Sequence, residues 1–451
     1  MLINLFSLLL ASAALVGAAV PIPDNDPFYQ PPAGFASSAP GTVFNHRSVA
    51  SSLIGVTAWQ VLYRTTNANG TAAATVATIL KGLLSSGDKL VIYDDYEDAT
   101  NTTCAPSYLF STGNTILPFG PIDEYALAGL ANGWTLVIAD YEGIGSAFGS
   151  GRLEGHAVLD ALRATISFAP AGISKTARLG GYGYSGGAIA TGWAAALHHI
   201  YAPELNVVGW AFGGTPANLT STFQKVDGTA FAGFAPGGIA GLMTSYPEVA
   251  TRVNQILTAD GQSAIAAVRQ QCALSDLADF LDIDFQSTKY QTLGTQLLYD
   301  PALAPYLANC TLGVYADETP VAPVYMYHGS VDEVIPYESA LATANAWCAN
   351  GASVEFVTET GGTGHLGTML VLQQNATDWL KLRMNGTPPA SGCSNASYAE
   401  LGLPLKRDSS FTTGTVLDRF GTSDEKVVSD IRQQHAAGYE VPNFWSYQWR
   451  A

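Results

Sequence analysis

Short runs of consecutive apolar residues alternate along this chain with longer segments whose apolar residues recur every three or four positions. Runs of the first kind are typical of buried strands. The predicted strands are 59–65, 89–94, 134–140, 205–212, 324–329 and 353–359, with a less apolar run at 176–182. The predicted helices are 156–168, 187–200, 338–349 and 366–383. Strands and helices that alternate in this way predict a mostly parallel sheet covered on both faces by helices.

Residues 217–318 interrupt this alternation. They hold helix-like segments near 247–272 and 274–282 and no clear strand. A long insertion of this kind between two strands predicts a separate helical cap on an α/β core. We therefore expect five consecutive parts. They are a signal peptide (1–19), the first part of the core (20–216), the helical cap (217–318), the second part of the core (319–385) and a polar C-terminal segment (386–451).

The first residues predict export. MLINLFSLLLASAALVGAAVP begins with an apolar run and ends in small residues, which is typical of a secretory signal peptide cleaved near Ala19. A membrane anchor is the alternative, and the shortness of the apolar run disfavours it.

Five cysteines fit an oxidising compartment, but their spacing leaves fifteen two-bridge pairings open. Sequons for N-glycosylation also fit export: Asn69, Asn101, Asn218, Asn309, Asn375, Asn385 and Asn395.

Composition limits the partners of the chain. Charged residues make up 13% of it, and the net charge is −17. An acidic chain without a run of Lys and Arg is a poor partner for nucleic acids or anionic membrane surfaces. A neutral or apolar ligand meets no such electrostatic barrier. The sequence contains no C-x-x-C pair and no histidine cluster, so we expect no metal and no cofactor.

The segment GYGYSGGAIATG, residues 181–192, places Ser185 between Gly183 and Gly187. In the G-x-S-x-G turn of α/β-hydrolases, a strand ends and a helix begins around an exposed serine nucleophile. The residues two before and two after the serine approach so closely that only very small side chains fit. The alternative is a helix N-cap in a glycine-rich loop. The motif alone is a weak signal, and its place between a strand and a helix strengthens it.

A serine nucleophile needs a base, which follows the acid in the chain order of this fold. His365 lies in the glycine-rich loop TETGGTGHLGTM after a predicted strand, where a ring can reach the serine. His435 is the alternative, but it lies in a polar segment. His328 is disfavoured because only the irregular stretch 186–327 could then supply the acid.

The acid and the oxyanion donors complete the predicted site. Asp332 follows the predicted strand 324–329 and is favoured over its neighbour Glu333. Its alternative role is to cap the helix that follows. One oxyanion donor is the backbone N–H of Gly186, directly after the serine, and the second should come from the loop 94–108. The residues alone do not name that second donor.

Taken together, these and further stretches resemble the fungal secretory lipase family. The matching stretches are DPFYQPPAG (26–34), WQVLYRTTN (59–67), YEDATNTTCAPSYL (96–109), DYEG (140–143), GYSGGA (183–188), YAPELNVVG (201–209), GGTP (213–216), FAGFA (231–235) and DEVIPY (332–337). They span nearly the whole mature chain up to about residue 385. The resemblance implies an α/β-hydrolase fold with a helical cap and triacylglycerol lipase activity. Because an apolar cap suits a covered acyl tunnel, the first functional hypothesis is a lipase that acts on neutral lipid esters at an oil–water interface.

The resemblance also implies roles for single residues. The nucleophile, acid and base would be Ser185, Asp332 and His365, and the second oxyanion donor would be the backbone N–H of Asp98. The disulfide bridges would be Cys104–Cys272 and Cys348–Cys393. Cys310 would then be free inside the Asn309 sequon, which makes glycosylation there doubtful. In the family a C-terminal flap helps to cover the acyl site, a role that would fall to residues 386–451.

Other functions stay open at this point. One is a soluble carboxylesterase for short acyl groups. A second is a serine carboxypeptidase, although the usual G-E-S-Y-G elbow of that class is absent. A third is a catalytically inactive hydrolase fold that serves as a binding module. In each case we expect a monomer without stable membrane insertion.

Overall fold

The computed structural model describes residues 20–95, 97–113 and 124–398 of the 451-residue chain. The predicted signal peptide and most of the predicted C-terminal segment, including the alternative base His435, lie outside the described residues. The strands are Val43–Val49 (β1), Val56–Thr66 (β2), Ala72–Gly82 (β3), Lys89–Asp94 (β4), Thr135–Ala139 (β5), Arg178–Tyr184 (β6), Val207–Gly213 (β7), Val324–Gly329 (β8), Val354–Glu359 (β9) and Ser394–Tyr398 (β10).

The α-helices of the described residues lie between these strands and in one long insertion. They are Pro106–Ser111 (α1), Glu124–Ala131 (α2), Gly151–Ser167 (α3), Gly186–Tyr201 (α4), Leu219–Val226 (α5), Phe234–Ser245 (α6), Pro247–Ile256 (α7), Ala259–Val268 (α8), Ala273–Asp279 (α9), Ala304–Asn309 (α10), Tyr337–Ala349 (α11) and Gly364–Met384 (α12). No helix among the described residues has both the length and the apolar character needed to cross a membrane.

The ten strands of the described residues form one sheet in the order β1-β2-β3-β5-β4-β6-β7-β8-β9-β10. The pairs β1–β2, β2–β3 and β3–β5 are antiparallel. The remaining pairs in this order, from β5–β4 to β9–β10, are parallel. The carboxyl ends of the parallel strands therefore meet at one edge. In open α/β sheets this edge is where ligands bind.

Helices cover both faces of the sheet, so the central strands consist of consecutive apolar residues rather than alternating ones. On one face α3, α4 and α11 pack with fully buried Leu162, Trp193 and Trp347. On the other face α2 and α12 pack with buried Tyr125 and Leu380. The two cores make the sheet a rigid base for the loops at its carboxyl edge.

The insertion between β7 and β8 carries α5 to α10 and has its own apolar core, which includes Ile239, Val253 and Phe285. The segment predicted near 247–272 forms two helices there instead of one. Leu257 is extended, and the Thr258 hydroxyl accepts a hydrogen bond from the Gly261 N–H at 3.2 Å, which starts α8. A threonine N-cap of this kind marks the start of a new helix, so α8 is separate from α7.

Candidate active site

Ser185 lies on a sharp turn between β6 and α4, with φ 54° and ψ −121°. Positive φ is unfavourable for a residue with a side chain and persists only where the surrounding structure enforces it. A Cβ on Gly183 would collide with the Gly187 carbonyl oxygen, and a Cβ on Gly187 would collide with that of Asp94. The turn therefore requires glycine at both positions. This is the strand–turn–helix geometry of a nucleophile elbow.

The structure brings the three predicted triad residues together. His365 Nε2 lies 2.9 Å from Ser185 Oγ, and His365 Nδ1 lies 2.7 Å from Asp332 Oδ2. Both His365 and Asp332 are buried. His365 is the second residue of α12, which begins at Gly364, so the base lies on a first helical turn and not in the predicted loop.

Asp332 is held from several sides. Its Oδ1 accepts hydrogen bonds from the backbone N–H groups of Val334 and Ile335, at 2.9 and 2.7 Å. Burial raises the pKa of Asp332, but the charge of His365 and hydrogen bonds from His328 and His365 outweigh burial, so that the pKa lies well below its usual range. The carboxyl group is therefore ionised at neutral pH. It also fixes the turn before α11, close to the helix-capping role considered as the alternative.

Two further residues contact the backbone of His365, in roles that the sequence did not predict. Glu333, the alternative acid, accepts a hydrogen bond from the His365 N–H at 3.0 Å. The hydroxyl of Tyr184 donates to the His365 carbonyl oxygen at 2.6 Å. Tyr184 directly precedes Ser185 and Glu333 directly follows Asp332. Their positions beside the two triad members were the available signal.

Gly186 and Asp98 lie together beside Ser185, and all three line the same cavity. Gly186 is the first residue of α4, where backbone N–H groups are free and the helix dipole is positive. Asp98 has φ 47°, and its Oδ1 lies so close to Gly186 that a Cβ there would overlap it. Burial raises the pKa of Asp98 to about 7, an effect that the charge of His365 partly offsets.

A buried carboxyl cluster, defined here as Glu97, Glu142 and Glu154, lies behind the Asp98 loop. Their exposed fractions are 5%, 1% and 0%. Burial, followed by repulsion from neighbouring carboxyl groups, raises the pKa of each well above its usual range. Glu97 is fixed by its N–H, which donates to the Tyr141 hydroxyl at 3.1 Å, and by the Ser146 hydroxyl, which donates to its carboxyl at 3.3 Å.

An apolar cavity of about 630 Å³, measured with its opening to solvent, begins at Ser185. The helices α5, α6 and α10 of the insertion supply half of its lining residues. Apolar lining residues include Phe148, Phe223, Phe234, Ile239, Leu242 and Leu307. The serine hydroxyl therefore stands at the polar end of a chamber suited to a hydrocarbon chain.

The cysteines pair as the family resemblance implies. Disulfide bridges join Cys104 to Cys272 and Cys348 to Cys393, and Cys310 is free and buried. The first bridge connects the segment after Asp98 to the start of α9 in the insertion. Within the described residues, no group of three or more His, Cys, Asp or Glu side chains is arranged to hold a metal ion.

The predicted sequons differ in exposure. Asn69, Asn385 and Asn395 are exposed, whereas Asn101, Asn218, Asn309 and Asn375 are partly buried. Asn375 lies inside α12, and the Thr377 of its sequon is 3% exposed. Exposure therefore favours Asn69, Asn385 and Asn395 as glycosylation sites.

The parallel sheet, the elbow at Ser185 and the helical insertion make this protein an α/β-hydrolase-fold protein, as predicted. A family model described as secretory lipase matches residues 122–392. The secreted triacylglycerol lipase LIP3 of Malassezia globosa is 38% identical over 424 residues, which cover 90% of this chain and 93% of that protein. The chain belongs to the secretory lipase family, so the predicted family is confirmed.

Further comparisons agree. The secreted triacylglycerol lipase LIP2 of Malassezia furfur is 39% identical over 386 residues, which cover 83% of this chain and 82% of that protein. The crystal structure of Candida antarctica lipase A superimposes with a TM-score of 0.79 at 31% identity, over 92% of this chain and 95% of that one. The esterase LipA of Xanthomonas oryzae, at 16% identity and a TM-score of 0.59, covers 77% of this chain and 99% of its own and shares the fold. The Malassezia relatives are named secreted, which confirms the predicted export.

Proposed function

We propose that this protein is a secreted triacylglycerol lipase that acts as a monomer on neutral lipid esters at an oil–water interface. The observation that carries the proposal is the chain of two hydrogen bonds from Ser185 through His365 to Asp332, 2.9 and 2.7 Å long, at the mouth of an apolar cavity. The names of the Malassezia relatives support the substrate class.

In the proposed reaction, Ser185 Oγ attacks the ester carbonyl carbon while His365 Nε2 takes the hydroxyl proton. Asp332 accepts the hydrogen bond from Nδ1–H, which keeps the lone pair of Nε2 toward the serine and stabilises the imidazolium that forms. His365 then gives its proton to the leaving alcohol. Water, activated by the same imidazole, releases the fatty acid from the acyl-enzyme.

The negative charge that develops on the carbonyl oxygen would be stabilised by the backbone N–H groups of Gly186 and Asp98. The Gly186 N–H lies at the positive end of α4, so the helix dipole acts in the same direction. Asp98 has a φ of 47° and its carboxyl group lies against Gly186, so the contact between the two segments positions its backbone.

The cavity supports a preference for long acyl chains. Each methylene that leaves water for an apolar wall contributes about 0.8 kcal/mol, so a chain that fills the cavity gains much more than a butyryl group. Half of the lining residues lie on the inserted helices α5, α6 and α10. This insertion therefore serves as the acyl-binding part in the proposed function.

Hydrolysis rates on emulsified triolein and on tributyrin below its solubility limit would test the proposal, with Ser185→Ala as the matched inactive variant. We expect fatty acid release from triolein by the wild type and none by Ser185→Ala on either substrate. Activity confined to dissolved tributyrin would instead make the protein a short-chain carboxylesterase.

A further inference from the structure

His328, which the sequence disfavoured as the base, contacts the acid of the proposed triad. Its Nε2 lies 3.2 Å from Asp332 Oδ2, the same oxygen that faces His365 Nδ1 at 2.7 Å. His328 is the fifth residue of β8, four positions before Asp332, and it is fully buried. Two imidazole rings therefore converge on one carboxylate oxygen.

The surroundings of His328 decide which of its nitrogens carries the proton. Nε2 faces Asp332 Oδ2 and lies 3.3 Å from the Ile335 carbonyl oxygen, and both of these groups can only accept. Nε2 is therefore the donor. The other nitrogen, Nδ1, is buried and makes no hydrogen bond.

The geometry points to His328 as a positioning residue for the proposed triad. Its Nε2–H holds the Asp332 carboxylate in the orientation that accepts the hydrogen bond from His365. This inference rests on the proposed function. Val334 and Ile335 already fix the Oδ1 of Asp332, so His328 completes the constraint at Oδ2, the oxygen on which the tautomer of His365 depends.

A second consequence concerns the pH dependence of the proposed base. Oδ2 shares its electron density between two N–H donors, so it stabilises the protonated ring of His365 less than it would alone. The titratable groups that face His365 include Glu333, Asp98 and Tyr184, and His328 itself faces the ring of Tyr337 at 5.9 Å. Removing the His328 donor leaves all of these in place and strengthens the effect of Asp332 on His365.

The chain offers a matched control in His198. This histidine is also buried, its Nε2 lies 3.0 Å from the carbonyl oxygen of Leu205, seven residues later, and its Nδ1 also makes no hydrogen bond. It lies in the last turn of α4 beside Trp210. His198 thus reproduces the burial and backbone contact of His328 without the carboxylate.

The experiment compares three variants, His328→Leu, His328→Gln and His198→Leu. It measures kcat and KM for p-nitrophenyl butyrate across the acid limb of the pH–rate profile, together with Tm.

For His328→Leu we expect kcat to fall about tenfold with unchanged KM, because an orienting hydrogen bond to a charged group is lost. Its acid limb should move up by about half a pH unit. Its Tm should fall, because Asp332 Oδ2 and the Ile335 carbonyl oxygen lose a buried donor. His328→Gln, which keeps an N–H donor, should stay within about threefold of the wild type. His198→Leu should leave both kcat and the acid limb unchanged.

Two results would overturn the inference. One is a folded His328→Leu with wild-type kcat and acid limb, and the other is an equal loss of kcat in His198→Leu. If His328→Leu does not fold, nitrogen-15 NMR of the wild type decides: a proton on Nε2 of His328 supports the inference and a proton on Nδ1 overturns it. Failure of the proposed function is distinct. Without the triad, Ser185→Ala would keep its esterase activity, and without lipase activity the wild type would release no fatty acid from triolein.

Discussion

The Oδ1 of Asp98 lies directly against the α-carbon of Gly186, and a Cβ at position 186 would overlap it. This contact joins the loop after β4 to the first turn of α4. It brings together the two backbone segments whose N–H groups we propose as the oxyanion donors. The nucleophile elbow and the second donor are thus positioned by one close approach.

Gly186→Ala should therefore separate the two segments. The helical backbone of residue 186 accepts alanine, so the overlap with Asp98 is the only strain that the substitution adds. We expect kcat to fall by about 10²–10³-fold, the usual cost of a misplaced oxyanion donor, and Tm to fall as well, because the overlap strains the folded protein. Kinetics on a soluble ester and thermal unfolding measure the two effects. Gly238→Ala is the control, because a Cβ there meets open space. A Gly186→Ala enzyme with wild-type kcat would contradict the assignment.

The cavity wall predicts the acyl-length preference. Gly238 on α6 lines the cavity, and no atom lies within 4 Å of a Cβ placed there. Gly238→Phe should fill part of the chamber and lower kcat/KM for p-nitrophenyl palmitate by about tenfold or more relative to the butyrate. A chain-length series of p-nitrophenyl esters measures this ratio. An unchanged ratio would mean that long acyl chains bind elsewhere.

Asp332 and Glu333 are neighbours in sequence but contact different groups of His365, its ring and its backbone N–H respectively. Asp332→Asn should lower kcat by about 10⁴-fold, because an amide no longer holds the imidazole in the tautomer that can accept the serine proton. Glu333→Gln keeps an acceptor for the backbone N–H and should cost less than about tenfold. Comparable losses of kcat in both variants would argue against Asp332 as the triad acid.

Much of the fold follows from the chain pattern, because strands buried on both faces show as consecutive apolar residues. The strands β1, β3 and β10 have no counterpart among the predicted runs. β3, AAATVATILKG, is rich in Ala and Thr, and it is buried because β2 and β5 pair with it on both sides. β10 is an exposed polar edge strand. In these strands pairing, and not side-chain hydrophobicity, decides the structure.

The sequence likewise predicts only part of the candidate site. Ser185, Asp332 and His365 could be found because local turns and the chain order of the fold mark them. Asp98 required the family resemblance. Its positive φ and its contact with Gly186 arise from the approach of two segments far apart in sequence, which no local pattern encodes. The contact of His328 with Asp332 is likewise visible only in three dimensions.

Buried acids predict how stability varies with pH. Burial raises the pKa of Asp94 and of Asp276 to about 8, and it raises the pKa of the buried carboxyl cluster well above its usual range. The folded protein thus keeps protons that the unfolded chain releases above about pH 4. These groups make the protein most stable below that pH, and their contribution is lost as the pH rises toward 8. Asp332, whose pKa is lowered, acts oppositely, and its contribution is lost below about pH 4.

We therefore expect Tm to be highest near about pH 4–5 and to fall steadily up to about pH 8. Thermal unfolding across this range measures the curve. Asp276→Asn, in the inserted helices and away from the triad, should flatten its descending part without changing kcat. A Tm that rises from pH 5 to pH 8 would show that these carboxyl groups ionise freely in the folded state.

The central claim is that Ser185 performs nucleophilic catalysis with His365 and Asp332. It is tested most directly by titration with a p-nitrophenyl alkylphosphonate, followed by mass spectrometry of the proteolysed protein. We predict one phosphonyl group per chain, located on Ser185, with loss of ester hydrolysis in proportion to labelling and no labelling of Ser185→Ala. Ester hydrolysis that survives complete modification of Ser185, or that persists in Ser185→Ala, would contradict the claim.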